Sequence, residues 1–169
     1  MHGIIFSELR KYVDTKLGSE GWNQLLVDSQ LGRRMYLPIQ EYPDAEMGAL
    51  VATASRALNV PADAILEDFG TFIAPSLLGL YRTLVKPEWK TLDLLENTEQ
   101  TIHTVVRARN PGARPAQLHA VRTAPDVVDL TYRSERRLCA VAKGIVRGLA
   151  AHYGEQITIT ESMCMHDGG

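Results

Sequence analysis

Tyr132-Arg133-Ser134-Glu135-Arg136, taken with His103 upstream, is the stretch that decides how this chain reads. Its Tyr-x-Ser-x-Arg spacing falls where a strand-like run (Val127, Val128, Leu130) gives way to a long helical pattern. Two hydroxyls and one guanidinium thus converge at a strand-to-helix corner. A guanidinium presents a rigid fork of donors that matches a carboxylate, and hydroxyls add shorter bonds. The corner suits a ligand with two carboxylates beside a hydrophobic body. Haem, with its paired propionates, is such a ligand, and the His103 imidazole is a candidate for its iron.

Upstream of the corner the chain reads as helices. Ile5, Leu9, Tyr12 and Val13 recur at helical spacing, and Gly18 is expected to stop that helix. Ser19 is a cap for a second helix with Trp22, Leu25 and Leu26. A loop over residues 32–43 is expected to pin Met35, Tyr36 and Leu37 to the core. Asp44 caps a helix bearing Met47, Leu50, Val51, Ala54 and Leu58, and Pro61 opens another that ends at Gly70. Residues 72–85 form a further apolar helix with Pro75 near its start. After a turn at Pro87-Glu88-Trp89, Asn97 and Gln100 have capping-box spacing ahead of Ile102, His103, Val105 and Val106.

Beyond the breaker-rich segment Asn110-Pro111-Gly112-Ala113-Arg114-Pro115 the period changes. Residues 117–123 and 127–132 read as two strands joined at Ala124-Pro125-Asp126. Leu138, Val141, Ala142, Ile145 and Leu149 make a helical stripe ending near Tyr153-Gly154, and residues 156–160 alternate as a strand does. The fold class expected is α+β.

Composition narrows the function. The 169 residues make one domain, or one with two lobes, long enough for a real core. Hydrophobic content of 45% and charged content of 22% fit a globular protein. A net charge of −2 argues against bulk nucleic-acid binding. No run reaches membrane-span length, and the start lacks a signal peptide's apolar region, so a cytoplasmic protein is expected. Cys139 and Cys164 are too few for a disulfide scaffold.

The chain resembles the H-NOX (haem nitric oxide/oxygen binding) family. The features that carry the resemblance are Met1-x-Gly3-Ile4-Ile5, Tyr42-Pro43, Phe69-Gly70, His103, Pro115, the Tyr132/Ser134/Arg136 motif, and His152-Tyr153-Gly154. A three-residue spaced motif is weak by itself, and a lone histidine is most often an ordinary polar residue on a helix face. Their pairing makes the match specific.

The resemblance implies an N-terminal helical lobe packed on a C-terminal lobe of helices and a small antiparallel sheet, with haem (heme b) between them. The helical distal lobe would span about residues 1–62 and the haem-anchoring lobe about 63–169. His103 corresponds to the proximal iron ligand, Tyr132, Ser134 and Arg136 to the propionate clamp, and Pro115 to a proline that presses on the porphyrin. Oxygen-binding members place a tyrosine five residues past the clamp arginine, where this chain has Val141. Ile5, Leu9, Phe72, Ile73 and Ile145 would complete a distal pocket without hydrogen-bond donors. That departure implies nitric oxide selectivity over oxygen, with carbon monoxide as a further ligand. Nitric oxide would weaken the iron–His103 link and shift the lobes. With no catalytic constellation, the output would pass to a partner, either a histidine kinase or a cyclic-di-GMP enzyme (diguanylate cyclase or phosphodiesterase).

A second site is expected from Cys139 and Cys164 with His166, which resemble the zinc-binding tail of some members. That tail carries one more cysteine than this sequence, and Glu161 stands where some members have histidine, so a truncated chain with its last strand missing is expected. Two reduced cysteines near a frayed end fit the same residues. The alternative function is a redox- or zinc-responsive regulatory interaction protein using Cys139 and Cys164.

Overall fold

The computed structural model describes residues 1–110 and 112–164. These divide into two compact units, Met1–Phe69 and Gly70–Gly169. Six helices and a two-stranded sheet account for the regular structure among the described residues, together with one 3₁₀ turn and one π-turn.

The first unit holds α1 (Gly3–Asp28) and α2 (Asp44–Leu58). Gly18 breaks α1 without ending it, because its φ of 75° takes it out of helical geometry at a position where only glycine is unstrained. Asp44 opens α2 as its first residue rather than as a side-chain cap. The link between these helices is partly drawn inward. Tyr36 is buried and stacks on Phe6 with ring centroids 4.2 Å apart. Its hydroxyl donates to Glu46 at 2.7 Å. Met35 and Leu37 do not share this burial: they are 75% and 41% exposed. With side chains alternating along this run, its middle residue turns in and its neighbours turn out.

The boundary between the units falls inside α3 (Ala62–Leu80). This helix runs without a stop through Gly70 and past Pro75, where the sequence had suggested two helices. A proline inside a helix costs about 3 kcal/mol. Here the helix is held beside the fault by fully buried Ile73 and Ala74. Gly70 is needed for clearance: a Cβ there would collide with the Val141 carbonyl oxygen and sit 3.0 Å from Gly144 Cα.

In the second unit, α4 (Thr91–Thr98) continues through a π-turn (Glu99–His103) into α5 (Thr104–Arg109). The helix thus begins at Thr91, well before the Asn97 cap suggested by the sequence. Its first turn is closed instead by Asp93, whose carboxylate accepts the Lys90 N–H at 3.0 Å. Strands β1 (Gln117–Ala124) and β2 (Val127–Arg133) pair antiparallel, with Leu118 opposite Tyr132 and a register irregularity between Arg122 and Ala124. α6 (Cys139–Tyr153) ends on Gly154 in the left-handed conformation. Trp89, Leu94, Ala74 and Leu149 form the core of this unit, with Leu78, Val85, Ile145 and Tyr153 against it.

Residues 156–160 form no strand. Half-buried Ile157 and Ile159 alternate with exposed Gln156, Thr158 and Thr160, as the sequence pattern requires, but no ladder partner lies beside them among the described residues. Alternation marks a half-buried surface; a strand also needs a neighbour for its N–H and C=O groups.

The two glycines of α3 should therefore respond oppositely to alanine. Gly70→Ala should destabilise by about 1–3 kcal/mol, the usual penalty for overpacking. At Gly79 nothing lies within 4 Å of the place a Cβ would take, so Gly79→Ala should gain about 0.5–1 kcal/mol through helix propensity. Chemical denaturation of the two variants beside the parent measures both.

Candidate haem site

His103 is the last residue of the π-turn, and its side chain is 17% exposed. π-turns inside α-helices are rare and gather at functional sites. The ring's Nδ1 lies 2.9 Å from Oε2 of Glu99 at the other end of the turn. Glu99 has further donors: Arg107 Nη2 at 2.7 Å on Oε1 and the Leu118 N–H at 3.1 Å on Oε2. Burial alone would raise the Glu99 carboxyl, but the bonds from His103, Arg107 and Leu118 outweigh it and hold the group below its ordinary value. An ionised carboxylate only accepts, so the proton of this bond sits on Nδ1. A carboxylate on Nδ1 is the partner that a histidine ligating a metal through Nε2 commonly has.

The Tyr132/Ser134/Arg136 corner also forms. Tyr132 is the next-to-last residue of β2, and Ser134 and Arg136 lie in the turn that leads to α6. The Ser134 hydroxyl accepts the Arg136 N–H at 3.2 Å. Burial pushes the Tyr132 phenol up, opposed by its hydrogen bond to Ser134 and by the charge of Arg136. All three side chains are half-buried. Arg136 Nη1 donates to the Arg114 carbonyl at 2.5 Å, which ties the corner to the residue before Pro115. Tyr132 and Ser134 are thus joined through their hydroxyls, while the Arg136 guanidinium reaches the Arg114 carbonyl and braces the segment leading into β1.

The other pocket candidates divide between the units. Ile5 is half-buried on α1, and Leu9 is buried there, in the wall of an apolar groove of about 250 Å³ shared with Leu50, Val51 and Ile65. In the second unit Ile73 is fully buried, Phe72, Pro115 and Val141 are half-buried, and Ile145 packs on the Trp89 core. None of these side chains carries a hydrogen-bond donor.

Cys139 and Cys164 are half-buried free thiols. Burial raises the Cys139 thiol, and the nearby Cys164 raises it further. His166 lies outside the described residues, and among the described residues no three metal-binding side chains gather. Glu161 holds Lys143 at 2.9 Å. Arg107 belongs to the Glu99 cluster. Glu99 itself was missed. Its signal was its place four residues before His103, with Arg107 four residues after, one face of one helix.

The family model for Haem-NO-binding (HNOB) proteins matches residues 2–161. The chain belongs to the H-NOX family. Solved structures agree with the fold. An H-NOX protein from S. oneidensis in the Fe(II)NO ligation state is 28% identical, with a TM-score of 0.91 over 100% of this chain and 94% of that one. A histidine-to-glycine mutant of the Shewanella oneidensis H-NOX domain in the Fe(II)CO state is 27% identical, with a TM-score of 0.89 over 100% of this chain and 93% of that one. An H-NOX protein from K. algicida, an alanine-to-glycine mutant in its Fe(II) unliganded form, shares the fold at 24% identity, with a TM-score of 0.82 over 91% and 84% of the two chains. No curated protein sequence matches. No helix among the described residues is long and apolar enough to cross a membrane.

The donor set fits the family's cofactor. It supplies an imidazole with Nδ1 engaged, a corner of hydroxyls and guanidinium for carboxylates, and apolar side chains for a macrocycle.

Proposed function

We propose that this domain binds haem b through His103 and the Tyr132/Ser134/Arg136 clamp, senses nitric oxide at the ferrous iron, and passes the signal to a partner enzyme. The observation that carries the reading is the half-buried His103 ring, its Nδ1 proton held by Glu99 and Nε2 left for a metal. Non-covalent haem b is the form expected, since the sequence has no Cys-x-x-Cys-His attachment motif. Haem supplies an iron centre at which diatomic gases bind.

The protein's own residues decide the rest. Arg136, with hydroxyls from Tyr132 and Ser134, would hold the propionates. Pro115 would press on the porphyrin from a segment that Arg136 already braces through the Arg114 carbonyl. A bound oxygen carries partial negative charge and is retained by a donor, whereas nitric oxide needs one far less. Val141 offers none, nor do Ile5, Leu9, Phe72, Ile73 and Ile145, which supports selectivity for nitric oxide, with carbon monoxide also accepted. The relative in its Fe(II)NO state supports the same gas. A partner of histidine kinase or cyclic-di-GMP enzyme type would supply the output. A zinc or redox role for Cys139 and Cys164 is the second reading, supported by the proximity of the two thiols.

His103→Gly should lose haem on purification and regain a Soret band when imidazole is supplied. An unchanged ferrous spectrum without imidazole would assign the iron to another residue.

Reduced parent protein exposed to air should show no persistent oxy spectrum, while nitric oxide should give a stable adduct. A lasting oxy form would reveal a distal donor. Val141→Tyr is the variant that should begin to retain oxygen.

Each charged hydrogen bond of the clamp contributes about 1.5–3 kcal/mol, so single deletions should leave haem bound. Replacing Tyr132, Ser134 and Arg136 together should speed haem transfer to apomyoglobin strongly, because buried carboxylates would be left without partners. Transfer no faster than in the parent would remove the clamp from the site.

A further inference from the structure

We infer that Glu99 is a positioning residue that orients His103 and sets the strength of its bond to iron; the inference rests on the haem reading above. Glu99 and His103 are the two ends of the π-turn, and the turn brings Oε2 to 2.9 Å from Nδ1. The same carboxylate is anchored from two other elements. Arg107 on α5 donates to Oε1 at 2.7 Å, and the Leu118 N–H on β1 donates to Oε2 at 3.1 Å. The backbone is fixed as well: the Thr104 hydroxyl donates to the Glu99 carbonyl at 3.2 Å, and the Thr101 hydroxyl to the Asn97 carbonyl at 2.6 Å. Glu99 is 28% exposed, so its bonds are partly shielded from water.

This arrangement does two things to the imidazole. It fixes the ring's rotation, because a carboxylate held by a helix and a strand cannot follow a turning ring. It also draws on the Nδ1 proton, which makes Nε2 a stronger donor to a metal. Arg107 moderates the second effect by sharing the negative charge. The strength of the iron–histidine bond thereby becomes a property of three elements: the π-turn, α5 and the edge of β1. A neutral helix-face histidine whose Nδ1 faced water would have neither constraint.

The test is the iron–histidine stretching band in the resonance Raman spectrum of the ferrous, gas-free holoprotein, recorded for the parent, Glu99→Gln, Glu99→Ala and Arg107→Ala. Glu99→Ala should move the band to lower wavenumber and raise the rate of haem loss by about 10–100-fold, the usual cost of removing such a partner. Glu99→Gln, whose amide oxygen still accepts but carries no charge, should fall between Glu99→Ala and the parent. Arg107→Ala keeps the carboxylate and should not lower the band. If Glu99→Ala fails to load haem, the band of Glu99→Gln decides: a downward shift supports the assignment, and an unchanged band overturns it. A parent band left unchanged by both Glu99 variants, or lowered equally by Arg107→Ala, overturns it alone. A parent without any such band overturns the haem reading and this assignment with it.

Discussion

The close approach of α3 and α6 is the constraint on which the second unit depends. Gly70 meets the backbone of Val141, Gly144 and Ile145, and Gly148 meets Ala74 and the Thr71 backbone. The Thr71 hydroxyl then donates across the contact to the Gly144 carbonyl at 3.1 Å. Pro75 has no N–H to give to the carbonyl of Thr71, four residues earlier, and that carbonyl is the one against which Gly148 packs. A helix fault and a small residue thus occupy the same place. Packed this closely, α6 has its position set by backbone atoms, which do not repack as side chains do. Val141, Ile145 and Cys139 inherit their positions from it.

A second organising point is the Glu99 carboxylate. One ionised group takes donors from a π-turn, a helix and a strand, and each bond is charge-assisted. Partial burial would disfavour the charge without these donors, so the group is stable only while all three elements stay in place. A comparable hub involves Arg122 of β1. Its guanidinium reaches Glu96 and Asp93 on α4 at 2.6 and 2.8 Å, which holds the strand to the helix that leads into the π-turn. Exposed pairs of this kind contribute little singly, but two carboxylates on one guanidinium restrict its geometry.

The first unit is held by different means. Phe6, Trp22, Tyr36 and Tyr42 form an aromatic cluster, with Tyr36 in contact with the other three. Tyr36 is buried because its hydroxyl has Glu46, and Glu46 is buried because it also holds Arg34 at 2.6 Å. A loop whose apolar residues are mostly exposed is ordered by one buried ring and its polar tip.

Local chemistry was legible in the sequence. The two strands on either side of Ala124-Pro125-Asp126, the α6 stripe ending at Gly154 and the Tyr132/Ser134/Arg136 corner are all short-range patterns, set by side-chain period and turn residues. His103 stands out only through the family resemblance that pairs it with this corner. What needed tertiary structure were the decisions that local patterns leave open. Gly70 and Pro75 look like helix ends until α6 is known to require clearance at one and to pack against the carbonyl that the other does not serve. Residues 156–160 alternate like a strand but have no ladder neighbour among the described residues. Glu99 looks like one more surface acid until β1 brings the Leu118 N–H to it. Periodicity records which faces are buried, and only the packed chain shows what each face is buried against.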